Sequence, residues 1–257
     1  AAQRRVLLAP PREAKAFLRA VTPRVKNDRL DSLGLAQFAL AVPLRPYPLK
    51  PPAMDLLDEL LTARRGLRDS LTRLHQQQQT LPLAADALQP AITALHEQVK
   101  ALDQRIADHT KAHEELEVAE RLRTVPGIGP VTAAAAASCL AGKAFETSNA
   151  FVAYIGLDPR VCESGEHRGR RSLSKRGDAY LRQLFYLAAL ANQRVKDSPF
   201  RKQYEVELAK GLSKTAALNA VARKLARTCW SLQRHGGSYL AERVTVQPKN
   251  TQEETLS

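Results

Sequence analysis

Cysteine is scarce in this chain of 257 residues: Cys139, Cys162 and Cys229 lie far apart, with no C-x-x-C pair. An odd number of dispersed thiols argues against both a zinc site and a disulfide framework and fits a reducing cytoplasm. No run of eighteen apolar residues occurs and no signal-peptide pattern opens the sequence, so a soluble protein with no membrane partner is expected. Aromatic residues make up only 5%. Alanine, leucine, arginine and glutamine dominate instead, and unbranched side chains lose little rotamer freedom in helices, so the fold class is expected to be mainly α. An initiator methionine is also missing. The chain opens with "AAQRRVLLAPPREAKAFLRAV", in which only "RVLLA" (residues 5–9) reads as a strand, and a lone strand is not a sheet. This stretch reads as the tail of a larger domain.

What the sequence has in excess is positive charge. Against 26 acidic residues stand 39 lysines and arginines, a formal net charge of +13. Nucleic acid is the default partner for such an excess, because each phosphate neutralised releases condensed counterions. The 44% of hydrophobic residues is enough to build real cores.

A helical pattern runs from Arg12 to about Leu40, interrupted at Thr22 and Pro23, and ends in the proline-rich "AVPLRPYPLKPP" of residues 41–52, a semi-rigid connector. Residues 1–50 therefore form a first region. Over 51–121, Leu56, Leu60, Ala63, Leu67, Leu71, Leu74 and Leu81 recur at steps of three and four. After a break near Pro82 and Pro90 the rhythm resumes with Leu88, Ile92, Leu95, Val99, Leu102, Ile106 and Leu116. The pair reads as an antiparallel helical hairpin or coiled-coil arm, its seam buried against a second copy or against its own domain. Gln76–Gln79 and the histidines His75, His96, His109 and His113 read as solvated faces; no glutamate follows His109 in the H-E-x-x-H manner.

At 122–141 the character changes to "LRTVPGIGPVTAAAAASCLA". Gly127 and Gly129 stand two apart between apolar positions, ahead of an alanine-rich helix opening near Pro130. This is the pattern of a helix-hairpin-helix turn, whose uncovered backbone N–H groups can hold a phosphate without reading sequence. A purely structural turn is the alternative. A nucleotide-binding loop would require a preceding strand, and Glu114–Arg123 read as helix. A serine- and arginine-rich loop follows at about 158–178, with Arg160, Arg168, Arg170, Arg171, Lys175 and Arg176, then Arg182, around Ser164, Ser172 and Ser174. Arginines that stabilise a five-coordinate phosphorus make a serine competent for phosphoryl transfer. From the residues alone, a loop that merely grips phosphates explains the same pattern. The helix that starts at Asp178 is expected to bury Tyr180, Leu184, Leu187 and Leu190 or Ala191. Two more amphipathic helices follow, the second with Ala217, Val221, Leu225 and Trp230, and 244–257 reads as a frayed tail.

One acidic pair stands out near the start. Asp28 and Asp31, flanked by Lys26 and Arg29 in "RVKNDRLDSLGLAQFA", share one helix face and could share a divalent cation, although metal-dependent phosphate chemistry usually recruits three or four such groups.

The ordered set "KNDRLDSLGLAQFA", "LRTVPGIGPVTAAAAA", "FVAYIGLDPR", "ESG" and "LSKRGDAYLRQLFY" resembles the transposases of the IS one-ten and IS eleven-eleven insertion sequences, relatives of the Piv-type DNA invertases, up to about Gly236. The resemblance implies a RuvC-like α/β domain with a D-E-D-D tetrad, of which 1–50 would be a C-terminal remnant. It further implies a coiled-coil arm at 51–121 and a helical transposase domain at 122–243. Asp28 and Asp31 match the last two acids of the tetrad and would be Mg²⁺ ligands; the first Asp and the Glu have no counterpart. The chain is therefore expected to be N-terminally truncated and impaired. Ser164, in the family's "SG" position, is the expected nucleophile and Ser174 the runner-up. Lys26, Arg29, Gly127, Gly129 and the basic residues named above would contact nucleic acid. The expected partners are DNA, a structured guide RNA and further copies of the chain in a dimer or tetramer, in a bacterial, nucleoid-associated cytoplasmic setting. The alternative is a non-catalytic nucleic-acid-binding remnant.

Overall fold

The computed structural model describes residues 6–21, 27–46, 50–160, 163–164, 167–168 and 172–241. They are mainly helical, and the chain divides into two units, 1–49 and 50–257.

In the first unit, strand β1 (Leu7–Leu8) pairs antiparallel with β2 (Arg45–Pro46). The lone strand of the sequence thus finds its partner inside the proline-rich connector, where Pro46 stands on an edge and gives up no ladder bond. Helix α1 (Pro11–Val21) and helix α2 (Asp28–Ala41) lie against each other through Phe17 and Phe38, whose ring centroids are 5.4 Å apart. Asn27 caps α2 by accepting the backbone N–H of Arg29 at 2.9 Å, an asparagine use that satisfies one orphan donor of the first turn.

The second unit begins with a long helical hairpin. Helix α3 (Pro52–Thr80) opens on a proline at its first turn, where no N–H is required. A short 3₁₀ turn (Pro82–Ala84) leads into helix α4 (Ala85–Ala112). The seam buries Leu57, Leu61 and Leu71 against Ile92, Val99 and Ile106. Contacts run in opposite order along the two helices: His109 Nε2 lies 2.8 Å from the Ala53 carbonyl at one end, and Gln78 donates to Gln89 at 3.0 Å near the tip. Two details depart from the expected pattern. Leu56, Ala63 and Leu81 are exposed while Leu57 and Leu61 fill the seam. Pro90 lies inside α4 rather than breaking it, because it leaves unpaired only the carbonyl of Asp86, an exposed residue of the first turn that water can reach.

A 3₁₀ turn (Glu114–Leu116) and helix α5 (Glu117–Arg123) lead through a tight turn into helix α6 (Pro130–Gly142). Helix α6 is walled in on nearly every side, with Ala133, Ala134, Ala136 and Ala137 all buried; small side chains let α3, α4, α5, α8 and α10 approach it. Helix α7 (Ser148–Tyr154) follows, capped by Thr147, whose Oγ1 accepts the Ala150 N–H at 3.1 Å.

The stretch read as loop contains strands. β3 (Pro159–Arg160) pairs antiparallel with β6 (Ser172–Leu173), and within that pair β4 (Glu163–Ser164) pairs with β5 (His167–Arg168). The segment is a hairpin. Helix α8 (Ala179–Ala191), a 3₁₀ turn (Asn192–Arg194), helix α9 (Pro199–Ala209) and helix α10 (Lys214–His235) complete the unit. On α8 the buried face is Leu181, Leu184, Phe185, Ala188 and Ala189, whereas Leu187 and Leu190 are exposed at 45% and 48%. The expected phase was displaced because nearly every position from Tyr180 to Ala191 is apolar, so periodicity alone cannot choose the face that meets α10. On α10, Ala217, Val221 and Leu225 are fully buried as expected. Phe151, Phe185 and Phe200 are the largest side chains of a core shared by α3 through α10. The terminal stretch 242–257 lies outside the described residues.

Candidate nucleic-acid interface

The hairpin is fastened at its foot, where residues 154–158 meet 174–178. Ser174 donates its backbone N–H to the Asp158 carbonyl at 3.0 Å and its hydroxyl to Asp158 Oδ1. Arg182, from the first turn of α8, donates one Nη1 to the carbonyls of Ile155 at 3.1 Å and Lys175 at 3.4 Å. Arg223, from α10, donates Nε to the Leu157 carbonyl at 3.0 Å. Charged donors on carbonyls make stronger bonds than neutral ones, so both arginines hold the chain at the point where the hairpin leaves the core. The turn back into α8 is tight: the Asp178 N–H reaches the Tyr154 carbonyl at 3.1 Å, and Gly177, with φ of 139°, passes so close to that carbonyl that a Cβ would overlap it. Asp178 then caps α8, accepting from Tyr180 and Leu181 at 2.9 and 3.0 Å.

Within this frame, Ser164 lies on β4 opposite His167, and Arg168 on β5 opposite Glu163. Arg160 lies on β3 opposite Ser172. Lys175 and Arg176 are exposed beside the foot. Lys26, Arg170, Arg171 and Cys162 lie outside the described residues. Burial of Arg223 and its like-charged neighbour Arg227 push the Arg223 guanidinium below its usual pKa, against weaker pulls from Glu207 and Asp158.

The glycine-punctuated turn between α5 and α6 is held by a residue that periodicity does not reveal. Asn192, fully buried at the end of α8, donates Nδ2 to the Pro126 carbonyl at 2.6 Å and the Ala188 carbonyl at 3.1 Å; its Oδ1 accepts from Ser198 at 2.8 Å. Gly127 has φ of 80°, and a Cβ there would overlap Asn192 Nδ2 and stand 2.6 Å from the Ala188 carbonyl oxygen. Gly129 caps α6 with no side-chain bond and Pro130 follows at the first helical position, an arrangement that leaves first-turn N–H groups without a side-chain partner. An asparagine after a helix ordinarily suggests only a cap. Its reach to Pro126, 66 positions away, has no local signature.

The arm is tied to the same helix. Arg64 donates to both carboxylate oxygens of Asp103 across the helical hairpin and, through Nη1, to Tyr180 Oη at 3.1 Å, while Arg65 lies 5.3 Å from the Tyr180 ring centroid.

Asp28 and Asp31 occupy the first turn of α2, in the first unit, with Asp28 and Arg29 exposed and Asp31 half-buried. Among the described residues no group of three or more His, Cys, Asp or Glu could hold a metal ion. Mg²⁺ is commonly held by one or two carboxylates, with water and substrate oxygens filling its other positions, so a pair of carboxylates does not exclude that ion. The histidines pair with one another instead: His75 with His96 across the hairpin and His109 with His113 along α4, ring centroids 5.6 and 4.5 Å apart. Cys139 and Cys229 are free thiols, pushed up to about 12 by burial.

Residues 119–205, from α5 to α9, match the model of the transposase IS116/IS110/IS902 family. Over this segment the chain is similar to the domain of that transposase family. The segment contains the glycine turn, the hairpin and both serines, and it stops before α10. The chain is also similar to parts of curated transposases. A probable family 20 transposase of Pseudomonas aeruginosa is 30% identical over 67% of this chain and 54% of its own length. The transposase for insertion sequence element IS1328 of Yersinia enterocolitica is 35% identical over 55% of this chain and 42% of its own. An IS110 insertion-element protein of 43.6 kDa from Streptomyces coelicolor, itself uncharacterized, is 29% identical over 62% and 39%. The chain thus spans about half the length of the curated relatives it matches. No helix among the described residues is long and apolar enough to cross a membrane.

Proposed function

We propose that this chain acts in DNA transposition as a strand-transfer enzyme whose nucleophile is Ser164. The observation that carries the reading is the similarity of 119–205 to the transposase-family domain, a segment built around an arginine-flanked hairpin with Ser164 beside its tip and its foot clamped by Arg182 and Arg223. In the reaction, Ser164 Oγ bonds to a backbone phosphorus, the bond from phosphorus to one deoxyribose oxygen breaks, and the serine proton passes to water while the departing oxygen gains one. A covalent phosphoserine conserves the bond energy for rejoining to another strand. Arginines of the same stretch would stabilise the charge of the five-coordinate phosphorus. Ser174 has another role in this reading. Its hydroxyl and its N–H are both committed to Asp158, which favours a fastening role over attack.

Asp28 and Asp31 would contribute to a Mg²⁺ site that polarises the scissile phosphate only with further ligands, and the chemistry above uses this chain's serine and arginines. The glycine turn, with its unpartnered first-turn N–H groups, would hold DNA backbone phosphates independently of sequence. A structured RNA that chooses the target and assembly into dimers or tetramers along the arm complete the reading by similarity to the family.

Trapping is the direct test. The 257-residue chain incubated with nicked or suicide DNA substrates is expected to give a denaturation-resistant protein–DNA adduct that disappears in Ser164→Ala and persists in Ser174→Ala. An adduct lost only in Ser174→Ala would transfer the nucleophile to that residue. DNA binding with no adduct from any variant would leave a non-catalytic nucleic-acid-binding protein.

A further inference from the structure

Helix α10 lies beyond the family-matched segment and carries a stripe of which the preceding chemistry uses only Arg223, as a clamp of the hairpin foot. Arg223, Arg227, Trp230 and Arg234 follow one another at steps of four, three and four, the spacing that keeps side chains on one helix face. The first three reach toward the elements that precede the hairpin. Arg223 donates to the Leu157 carbonyl at 3.0 Å, Arg227 Nη2 to Asn149 Oδ1 at 2.9 Å, and Trp230 Nε1 to the Phe145 carbonyl at 3.1 Å. Arg234, with Lys143, Phe145, Trp230 and Gln233, lines a recess of about 220 Å³ at the far end. Eleven residues of helix place the two ends about 16 Å apart.

None of the three arginines takes part in an ion pair among the described residues. Two of the acids near Arg223 bond other side chains: Asp158 accepts from Ser174, and Glu207 from Gln203 and Lys210. Elsewhere on the surface, the comparable arginine Arg201 is neutralised by Glu205 at 3.2 Å. Arg223 feels Glu207 and Asp158 at a distance, but Arg223 and Arg227 are each anchored by one hydrogen bond to a neutral acceptor, so a line of guanidiniums over about three helical turns retains donors and charge for a polyanion.

We propose that Arg223, Arg227 and Arg234 form a track that holds consecutive phosphates of the DNA strand delivered to the foot of the serine hairpin. The inference rests on the transposition reading for the identity of the polyanion, and it adds the residues that align the strand and a direction, from the Lys143–Arg234 recess toward Leu157. These are positioning residues; they act on the substrate backbone rather than on the reacting phosphorus.

The experiment is a salt titration of binding between the full 257-residue chain and a short fluorescent DNA duplex of random sequence. Arg227→Gln and Arg234→Gln, changes outside the buried core, are each expected to reduce the slope of log K against log salt by about 0.9 and to weaken binding several-fold at low salt. Arg227→Lys, which keeps the charge, should restore the slope, and Arg201→Gln should leave it as in the wild type. Unchanged slopes for Arg227→Gln and Arg234→Gln, with circular dichroism showing both folded, would overturn the track. The two readings fail separately: a Ser164-dependent adduct with unchanged slopes removes the track alone, and reduced slopes with no adduct from any variant remove the strand-transfer chemistry alone.

Discussion

Asn192→Ala offers a demanding measurement, because one side chain holds three segments far apart in sequence. The amide bonds the carbonyls of Pro126 and Ala188 and accepts the Ser198 hydroxyl. Removing it leaves the Ala188 carbonyl satisfied by the backbone N–H of residue 192, but strands the Pro126 carbonyl and the Ser198 hydroxyl, the latter in a residue only 3% exposed. A buried group left without its partner costs about 1–3 kcal/mol, and loss of a part-exposed bond about 1 kcal/mol. The expected destabilisation is therefore about 2–4 kcal/mol, read from the midpoint of urea unfolding by circular dichroism. Ser198→Ala, which strands the buried Asn192 Oδ1 and removes the cap of α9, should cost about 2–4 kcal/mol, and the double variant less than the sum, since the two groups share a bond. Asn219, whose amide bonds the Thr215 carbonyl on the exposed side of α10, provides the comparison; its alanine variant should stay within about 0.5 kcal/mol of wild type. Gly127→Ala should resemble Asn192→Ala in size, because left-handed backbone costs about 1–2 kcal/mol for an L-residue before the overlap with Asn192 is relieved. If Asn192→Ala and Asn219→Ala destabilised equally, the assignment of Asn192 as the clasp of the glycine turn would be wrong.

Arg182→Ala should release the hairpin foot without unfolding the core. A charge-assisted bond worth about 1.5 kcal/mol changes a local opening equilibrium about tenfold, so trypsin should cut after Lys175 and Arg176 about ten times faster; equal cleavage rates would show that the arginine does not fasten the turn. The thiol of Cys229 gives a pH signature. Its folded pKa is raised to about 12 from an ordinary value of 9.0, so its contribution to stability is complete below pH 9 and is lost as pH rises toward 12, at about 1.4 kcal/mol per pH unit. Cys229→Ala should flatten the alkaline limb of a stability–pH curve by that slope, and an unchanged limb would contradict the assignment.

Where the sequence could be read, the reason was a strong period with few competing faces. Helix α4 shows it: Ile92, Val99 and Ile106 fill the seam as spacing requires. On α3 the expected Leu60 and Leu71 are buried, but the richer choice of apolar residues also brings Leu57 and Leu61 into the seam in place of Leu56 and Ala63. The failure on α8 has the same origin in stronger form, since a helix apolar on all sides takes its phase from its neighbours. The strand pairs of the hairpin and of Leu7–Leu8 are each two residues long, too short to show alternation, and exist only because a distant segment supplies the partner. For the candidate site, the basic residues and both serines were visible as composition. What fastens them was not: Arg223 and Asn192 act through backbone carbonyls 66 positions away, and a carbonyl has no letter in the sequence, while Asp158 holds Ser174 across 16 positions.

The alanine helix α6 has a consequence for how this molecule can change. Its buried alanines face α3 and α4 of the arm on one side and α8 and α10 on the other. An added methyl group enters a buried, helix-lined position, and overpacking of a close-packed core costs about 1–3 kcal/mol. Any enlargement there must push apart the arm and the helices that fasten the hairpin at the same time. Adaptation of the arm to a new partner, or of the basic face to a new strand, therefore has to proceed through the outer helices, around an axle whose width is fixed.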